Sequence, residues 1–188
     1  MRKITVMNRI SIDGFFASLN EKTWGMDWFI GDPQVDKALH ASGESTTLIL
    51  GGITYRGFER SWVPLLTDPS APAELKSVAK ELTQMTKLVF SKTLKDTTWE
   101  NTRLFSGNLI EEIRKLKQGP GDDMLIMGSG SIVQQLTQER LIDDYIFIVT
   151  PVIAGTGKSM FKDVKQLGLK LLKTQSFQSG NVLLHYTT

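Results

Sequence analysis

Short apolar runs alternate with segments of helical periodicity along this chain, and this alternation most constrains how it can fold. Thr47–Leu50, Lys87–Phe90 and Met124–Met127 are runs of four mostly apolar residues, which is typical of strands buried on both faces of a sheet. A helical pattern follows each run, and parallel strands need such crossover connections. The sequence therefore predicts an α/β fold of three layers (α/β/α) with a mixed, mostly parallel sheet.

The end of the chain follows a different pattern. Leu169–Phe177 and Asn181–Tyr186 are predicted to be two antiparallel strands, because the turn pair Ser179-Gly180 joins them. The remaining predicted strands are Lys3–Ile10, Tyr145–Ile153 and one or two short ones around Trp99 and Leu104-Phe105. The predicted helices run from Asp32-Pro33 to about Ser42, before Gly43, and over Tyr55–Arg60, Pro72–Leu82, Leu109–Leu116 and Ile132–Gln138.

Length and charge exclude several classes of protein. The 188 residues fit one domain over residues 1–188. A net charge of +2 gives no electrostatic reason to expect nucleic acid or a membrane surface as partner. No stretch approaches the ~20 apolar residues of a membrane span, and no signal peptide is apparent at the start, so we expect a cytoplasmic protein.

Metal chemistry is not expected. The chain has no cysteine, which excludes disulfides, thiolate metal sites and cysteine nucleophiles. His40 and His185 are the two histidines, and they are far apart in the sequence. Asp122-Asp123 and Asp143-Asp144 precede predicted strands and are interpreted as solvated loop charges, with a magnesium site as the alternative.

The turn Gly128-Ser129-Gly130-Ser131 follows a predicted strand and precedes a predicted helix. A helix N-terminus presents unpaired N–H groups and a partial positive charge, and glycine allows close approach of an anion. We therefore predict a nucleotide phosphate here. The alternative is purely structural: the glycines make a tight turn and a serine caps the helix.

A second glycine-rich segment, Gly155-Thr156-Gly157-Lys158-Ser159, resembles the end of a P-loop and suggests a nucleotide kinase. A P-loop has two glycines five residues apart, and the second stands directly before the lysine. With Gly157 as the second glycine, Val152 occupies the position of the first. A plain glycine-rich loop is the favoured interpretation.

Taken in order, several segments together resemble the dihydrofolate reductase-like family, in particular the reductase domain of riboflavin biosynthesis (the RibD C-terminal domain branch). The matching segments are Ser11-Ile12-Asp13-Gly14, Leu50 to Tyr55, Val89 to Leu94, Gly128 to Ser131, Pro151 to Gly157 and the hairpin around Gly180. They cover nearly the whole chain. The resemblance implies NADPH as cofactor, with NADH possible, a small heterocyclic substrate of pterin or pyrimidine type, and a homodimer.

The resemblance also implies which residues bind the cofactor. Asp13 and Gly14 would lie by the nicotinamide, Gly51 and Thr54 at a phosphate, and Gly128 to Ser131 with Ile132 at the diphosphate. Ser91, Lys92 and Thr93 would flank the adenosine end, where Lys92 would bind the 2′-phosphate. The family commonly has arginine where this chain has Gly52, and Lys92 or Arg56 is the expected substitute for that charge.

The proton donor is the least determined part of the prediction. Asp36 is the preferred catalytic acid, Asp13 is the second candidate, and Asp32 is interpreted as a helix cap. Trp24, Met26, Trp28 and Phe29 either stack on a flat substrate or belong to the core. If no acid faces the substrate, the alternative is a non-catalytic protein that binds a nicotinamide nucleotide.

Overall fold

The computed structural model describes residues 1–41 and 45–188, and within them an eight-stranded sheet runs through the molecule. The strands are β1 (Ile4–Ser11), β2 (Phe15–Ala17), β3 (Thr47–Gly51), β4 (Thr86–Phe90), β5 (Thr102–Phe105), β6 (Met124–Met127), β7 (Asp144–Thr150), β8 (Lys158–Ser159), β9 (Lys170–Ser176) and β10 (Val182–Thr187). The helices are α1 (Pro33–His40), α2 (Gly52–Trp62), α3 (Ala73–Gln84), α4 (Leu109–Gln118) and α5 (Gly130–Gln138). Short 3-10 turns cover Glu21–Thr23 and Val63–Leu66.

The sheet has the order β5-β4-β3-β6-β1-β7-β10-β9. Its first six strands are parallel, whereas β10 is antiparallel to both β7 and β9. Helices α1, α2 and α3 contribute to the apolar core on one face, and α4 and α5 to the core on the other. The predicted three-layer architecture with an antiparallel end is therefore confirmed.

Helix α1 shows how local chemistry sets an element's start. Asp32 accepts a hydrogen bond from the backbone N–H of Gln34 at 2.8 Å, and Pro33 occupies the first helical position. The predicted cap is confirmed. The predicted end of this helix, at Ser42 and Gly43, lies outside the described residues.

One predicted strand is wrong in its extent, and of the one or two short strands predicted around Trp99 and Leu104-Phe105 only the second forms, as β5. The strand predicted to run to Ile153 ends at Thr150, because Pro151 has no N–H to donate to a ladder. Trp99 lies before β5 and is 5% exposed. Its backbone N–H donates to the Tyr55 hydroxyl at 3.0 Å rather than to a strand.

The interpretation of Asp143-Asp144 as solvated charges is also wrong. Asp144 begins β7, is 8% exposed and lies 3.4 Å from the Nε2 atom of His185. Asp143 forms an ion pair with the buried Lys117 and accepts a hydrogen bond from the backbone N–H of Ile4 at 2.7 Å. Both carboxylates thus hold the amino-terminal ends of strands in place. These ends lie on the opposite side of the sheet from the turn Gly128 to Ser131.

A small two-stranded sheet, β2 paired with β8, lies outside the main sheet. It was not predicted, because a pair of strands with only three and two residues leaves no periodic signal. Within the described residues, no helix is long and apolar enough to cross a membrane, and no group of three or more metal-binding side chains comes together.

Candidate cofactor and substrate cleft

A cleft of about 1920 Å³ opens at the ends of two neighbouring strands whose following connections run in opposite directions across the sheet. Strands β3 and β6 are adjacent, but the chain leaves β3 toward β4 and leaves β6 toward β7, beyond β1. Such a reversal leaves a crevice at the carboxyl ends of the two strands, and open α/β sheets bind ligands there. The cleft is lined at this point by Gly51, Thr54 and the turn from Gly128 to Ile132.

Two helix N-termini meet at this crevice. Helix α2 begins one residue after Gly51, and helix α5 begins one residue after Ser129. The Ser129 hydroxyl joins them, since its Oγ atom accepts a hydrogen bond from Gly51 N at 2.7 Å and donates one to Thr54 Oγ1 at 2.9 Å. The first N–H groups of each helix have no partner within the helix and carry partial positive charge, so the pair forms a site suited to a diphosphate.

The turn before α5 has a left-handed backbone, with φ +67° at Gly128 and +55° at Ser129. Asn8 on β1 holds it, because its Oδ1 atom accepts a hydrogen bond from Gly128 N at 2.7 Å. Ser129 makes no side-chain cap bond to α5, so the structural alternative of a serine cap at this position is wrong. The Ser129 hydroxyl instead fixes α5 relative to α2.

Phe16 on β2 packs directly on the start of α5. A Cβ atom built at Gly130 would lie 2.4 Å from Phe16 Cε1 and 2.6 Å from Cζ. A side chain at position 130 would therefore require the Phe16 ring to shift, and the small β2–β8 sheet forms one wall of the cleft beside the helix N-terminus.

Ser91 and Lys92 follow β4 and line the cleft beside the start of α2. The Ser91 hydroxyl accepts a hydrogen bond from Leu94 N at 3.0 Å, and a Cβ atom at Gly52 would lie 2.7 Å from Ser91 Oγ. A larger residue at position 52 would thus require Ser91 to move. Thr93 and Arg56 are not among the residues that line the cleft, which leaves Lys92 as the predicted cation here.

The side of the cleft between α1 and α2 carries a charged pair and several aromatic groups. Arg9 on β1 forms a hydrogen-bonded ion pair with Asp36 on α1, with Nη2 and Oδ1 2.8 Å apart. Trp24 lies flat on α2, since a Cβ atom at Gly57 would be 3.2 Å from its ring. Met26, Leu39, Phe58 and Trp62 complete this wall, whereas Trp28 and Phe29 are not among the lining residues.

Charges in the cleft favour an anionic ligand. Among the described lining residues, the cations are Arg9, Arg60, Lys92, Lys158 and Lys162, and the carboxylates are Glu21 and Asp36. A cleft with low-dielectric walls and an excess of one sign raises the local concentration of ligands of opposite charge.

Asp13 and Gly14 are not among the residues that line the cleft. The Asp13 carboxylate accepts hydrogen bonds from the backbone N–H groups of Ala154 and Gly155, at 3.0 and 2.8 Å. The Ser11 hydroxyl and these N–H groups lower the pKa of Asp13 from 3.8 to about 2. Asp13 therefore fastens the glycine-rich loop after β7 to the end of β1.

This contact predicts a pH dependence of stability. A carboxyl group whose pKa is lower in the folded state stabilises the fold above its unfolded pKa, and this contribution disappears as pH falls through the folded pKa. We expect the difference in free energy of unfolding between wild type and Asp13→Asn to shrink as pH falls from about 4 to about 2, as denaturant titrations at several pH values would measure. A difference that stays constant over that range would contradict the role of the Asp13 hydrogen bonds.

The segment Gly155 to Ser159 does not have the geometry of a P-loop. It continues as strand β8, which pairs with β2, whereas a P-loop opens a helix whose N-terminus faces the phosphates. Gly157 is fixed by packing, because a Cβ atom there would lie 2.6 Å from the carbonyl oxygen of Ala17. The kinase alternative therefore loses its structural basis.

Sequence reasoning missed several residues of the site, among them Asn8, Arg9 and Phe16. A single asparagine, arginine or phenylalanine in or beside a strand carries no motif, and each acquires its role only from the elements packed against it. The alternation of side chains along β1 predicts only which residues share a face.

Comparisons with known proteins agree with this geometry. A family model described as the RibD C-terminal domain matches residues 2–183. Protein YyaP of Bacillus subtilis (strain 168), which is uncharacterized, is 32% identical over 187 residues that cover 98% of this chain and 94% of YyaP.

Two solved structures share the fold at low sequence identity. A putative riboflavin biosynthesis protein from Shewanella sp. PV-4 superposes with a TM-score of 0.70 at 20% identity, covering 98% of both chains. Dihydrofolate reductase from Enterococcus faecalis, solved in complex with NADP(H), superposes with a TM-score of 0.65 at 12% identity, covering 98% of this chain and 95% of the enzyme.

Proposed function

The chain belongs to the RibD C-terminal domain family, and from this premise we propose that it is an NADPH-dependent reductase of a small pterin- or pyrimidine-like heterocycle. The observation that carries the proposal is the pair of helix N-termini at the reversal between β3 and β6, joined by the Ser129 hydroxyl. Two such N-termini side by side suit the two phosphates of a dinucleotide. A homodimer is part of the proposal, and the edge strand β9, in which every residue is exposed, supports it.

The cofactor would supply the hydride, and the chain would bind and orient it. In this proposal Gly51 and Thr54 bind one phosphate, and the backbone of Gly128 to Ile132 binds the other. Lys92 takes the 2′-phosphate beside Ser91. The substrate occupies the wall formed by Arg9, Asp36 and Trp24, so Asp36 rather than Asp13 is the carboxylate that contacts it.

Lys92 gives the first test of the cofactor assignment. We expect Lys92→Ala to weaken NADPH binding about tenfold, because a charge-assisted hydrogen bond contributes roughly 1.5–3 kcal/mol. Binding of NADH, which lacks the 2′-phosphate, should change less than twofold. Fluorescence titration of the reduced cofactors measures both, and Lys95→Ala, an exposed lysine outside the cleft lining, is the matched control.

Three outcomes are informative. An unchanged ratio of NADPH to NADH affinity in Lys92→Ala would remove Lys92 from the 2′-phosphate site. Failure of the wild type to bind either cofactor would contradict the proposed function itself. Binding without NADPH oxidation, when dihydrofolate and the uracil reductase substrate of riboflavin biosynthesis are screened, would favour the non-catalytic alternative.

A further inference from the structure

The loop from Ser91 to Thr98 carries Lys92, and its first residues are anchored to the sheet and the core. Ser91 N donates to the Phe105 carbonyl oxygen at 3.0 Å, and the Ser91 hydroxyl accepts a hydrogen bond from Leu94 N at 3.0 Å. Leu94 is 9% exposed and packs in the apolar core. The Lys92 side chain itself is exposed, so its direction depends on the course of this loop.

Position 52 offers no room for a second cation beside Lys92. A Cβ atom at Gly52 would lie 2.7 Å from Ser91 Oγ and 3.0 Å from Ser91 Cβ, so Ser91 occupies the space of a side chain there. Lysine is a point charge on a flexible stem, and fixing such a group before binding reduces the entropy that binding costs. Recognition of a 2′-phosphate by Lys92 therefore depends on how firmly the loop is held.

A hydrogen-bonded cluster that the proposed function does not use holds the far end of this loop on α2. Trp99 N donates to the Tyr55 hydroxyl at 3.0 Å, and that hydroxyl donates to Glu59 Oε1 at 2.8 Å. Thr98 Oγ1 donates to the same Glu59 oxygen at 2.6 Å. Tyr55 and Glu59 are one helical turn apart, so their side chains meet on one face of α2. We call Tyr55, Glu59 and Thr98 the clamp.

Burial makes the centre of the clamp rigid. Tyr55 is 1% exposed, and burial raises the pKa of its hydroxyl, so this group keeps its proton and donates. The Trp99 indole N–H donates to Thr83 Oγ1 at 2.9 Å, which extends the network to α3. Tyr55 directly follows Thr54, so the helix that begins at the proposed phosphate site also fixes the end of the loop.

We propose that the clamp positions Lys92 and thereby gives the protein its preference for a 2′-phosphorylated nicotinamide cofactor over the unphosphorylated one. Tyr55, Glu59 and Thr98 are not among the residues that line the cleft, so they act through the loop as positioning residues. This inference rests on the proposed function, because it needs NADPH in the cleft. It goes beyond that function by assigning the preference to groups that lie outside the cleft.

The test compares Tyr55→Phe with Tyr145→Phe. Tyr145 is also 1% exposed, donates to Thr137 Oγ1 at 2.9 Å and does not line the cleft, so its variant loses a similar hydrogen bond elsewhere. We expect Tyr55→Phe to weaken NADPH binding about fivefold and NADH binding less than twofold, since only NADPH uses the positioned lysine. Tyr145→Phe should keep the wild-type ratio of the two affinities. Fluorescence titration of the reduced cofactors measures all four values.

A second variant changes only the exposed part of the clamp. Thr98→Val removes one hydrogen bond at an exposed position and leaves the buried tyrosine in place, so it remains informative if Tyr55→Phe does not fold. It should lower the ratio of NADPH to NADH affinity about twofold, in the same direction as Tyr55→Phe.

A double-mutant cycle separates positioning from a general loss of stability. In a Lys92→Ala background, Tyr55→Phe should change NADPH affinity less than about twofold, because the group that it positions is absent. Trypsin reports the loop without any cofactor, since it cuts after Lys92 and Lys95, which are both exposed. Cleavage there should be at least about fivefold faster in Tyr55→Phe than in wild type, and within about twofold of wild type in Tyr145→Phe.

The other results overturn the inference. Equal weakening of NADPH and NADH in Tyr55→Phe would assign the clamp to the start of α2 rather than to Lys92. Independent, additive effects of Tyr55→Phe and Lys92→Ala, or an unchanged ratio of affinities in Tyr55→Phe and Thr98→Val, would show that the clamp does not act through the lysine. If the wild type binds neither cofactor, the proposed function fails and the preference with it, while the trypsin rates still decide whether the clamp holds the loop.

Discussion

Replacing Lys87 with methionine is expected to lower the free energy of unfolding by about 3 kcal/mol, because several buried carbonyl groups would lose their donor. Lys87 lies on β4, is fully buried, and its Nζ atom donates to the carbonyl oxygens of Leu82, Thr83 and Met85 at 2.9, 2.8 and 2.8 Å. These carbonyls end helix α3, where a cation also interacts favourably with the helix dipole. The ammonium group lies 4.6 Å from the ring of Trp99 as well.

The measurement is a denaturant or thermal unfolding curve at pH 7. Burial lowers the pKa of Lys87 to about 8, so the side chain is still mainly charged there. A loss of this size corresponds to a fall in Tm of roughly 10 °C for a domain of this length. Lys80→Met, at an exposed position of α3, is the matched control and should change stability by about 0.5 kcal/mol or less. Equal stability of the two variants would contradict the assigned role of Lys87.

Gly130→Val is expected to weaken NADPH binding about 30-fold, the largest effect anticipated in the cleft, because overpacking of this kind costs roughly 1–3 kcal/mol. The new Cβ atom would lie 2.4 Å from Phe16 Cε1, whereas ordinary contact begins at 3.4 Å. The Phe16 ring would have to shift by about 1 Å, next to the N–H groups that the diphosphate needs.

Gly168→Val provides the comparison. Gly168 is not among the residues that line the cleft, and a Cβ atom there meets nothing within 4 Å. Its NADPH affinity should stay within about twofold of wild type, since a side chain that points into open space outside the cleft displaces nothing. Titrations of both variants, with circular dichroism as a check on folding, give the result. Wild-type affinity in a folded Gly130→Val protein would mean that the diphosphate is bound away from the N-terminus of α5.

The fold was largely predictable because local sequence patterns indicated most of its strands and helices. Buried apolar runs marked β3, β4 and β6, and the cap at Asp32 marked the start of α1. The order of the strands was not predictable, because each parallel strand is buried on both faces and its sequence does not encode its neighbours. Asp144 was misinterpreted for a related reason: its burial depends on His185, which joins it from β10 at the other end of the chain.

The candidate site was predictable only in part. The turn Gly128 to Ser131 could be identified because glycines between a strand and a helix have a local physical meaning. The use of the Ser129 hydroxyl could not, since its partners Gly51 and Thr54 lie more than 70 residues away in the sequence. Arg9 was missed because an arginine in a strand gives no signal until the partner helix brings Asp36 to it.

The central place of β1 has a consequence for how the protein is made. This first strand has β6 on one side and β7 on the other, so it acquires both neighbours only after synthesis has passed Thr150. A ribosome adds about 5–20 residues per second, so β1 waits roughly 7–28 s in the nascent chain before both of the strands that will enclose it have been made. During that interval its apolar residues, Ile4 and Val6 among them, are exposed, and a nascent chain of this protein should be a client for chaperones until the seventh strand emerges.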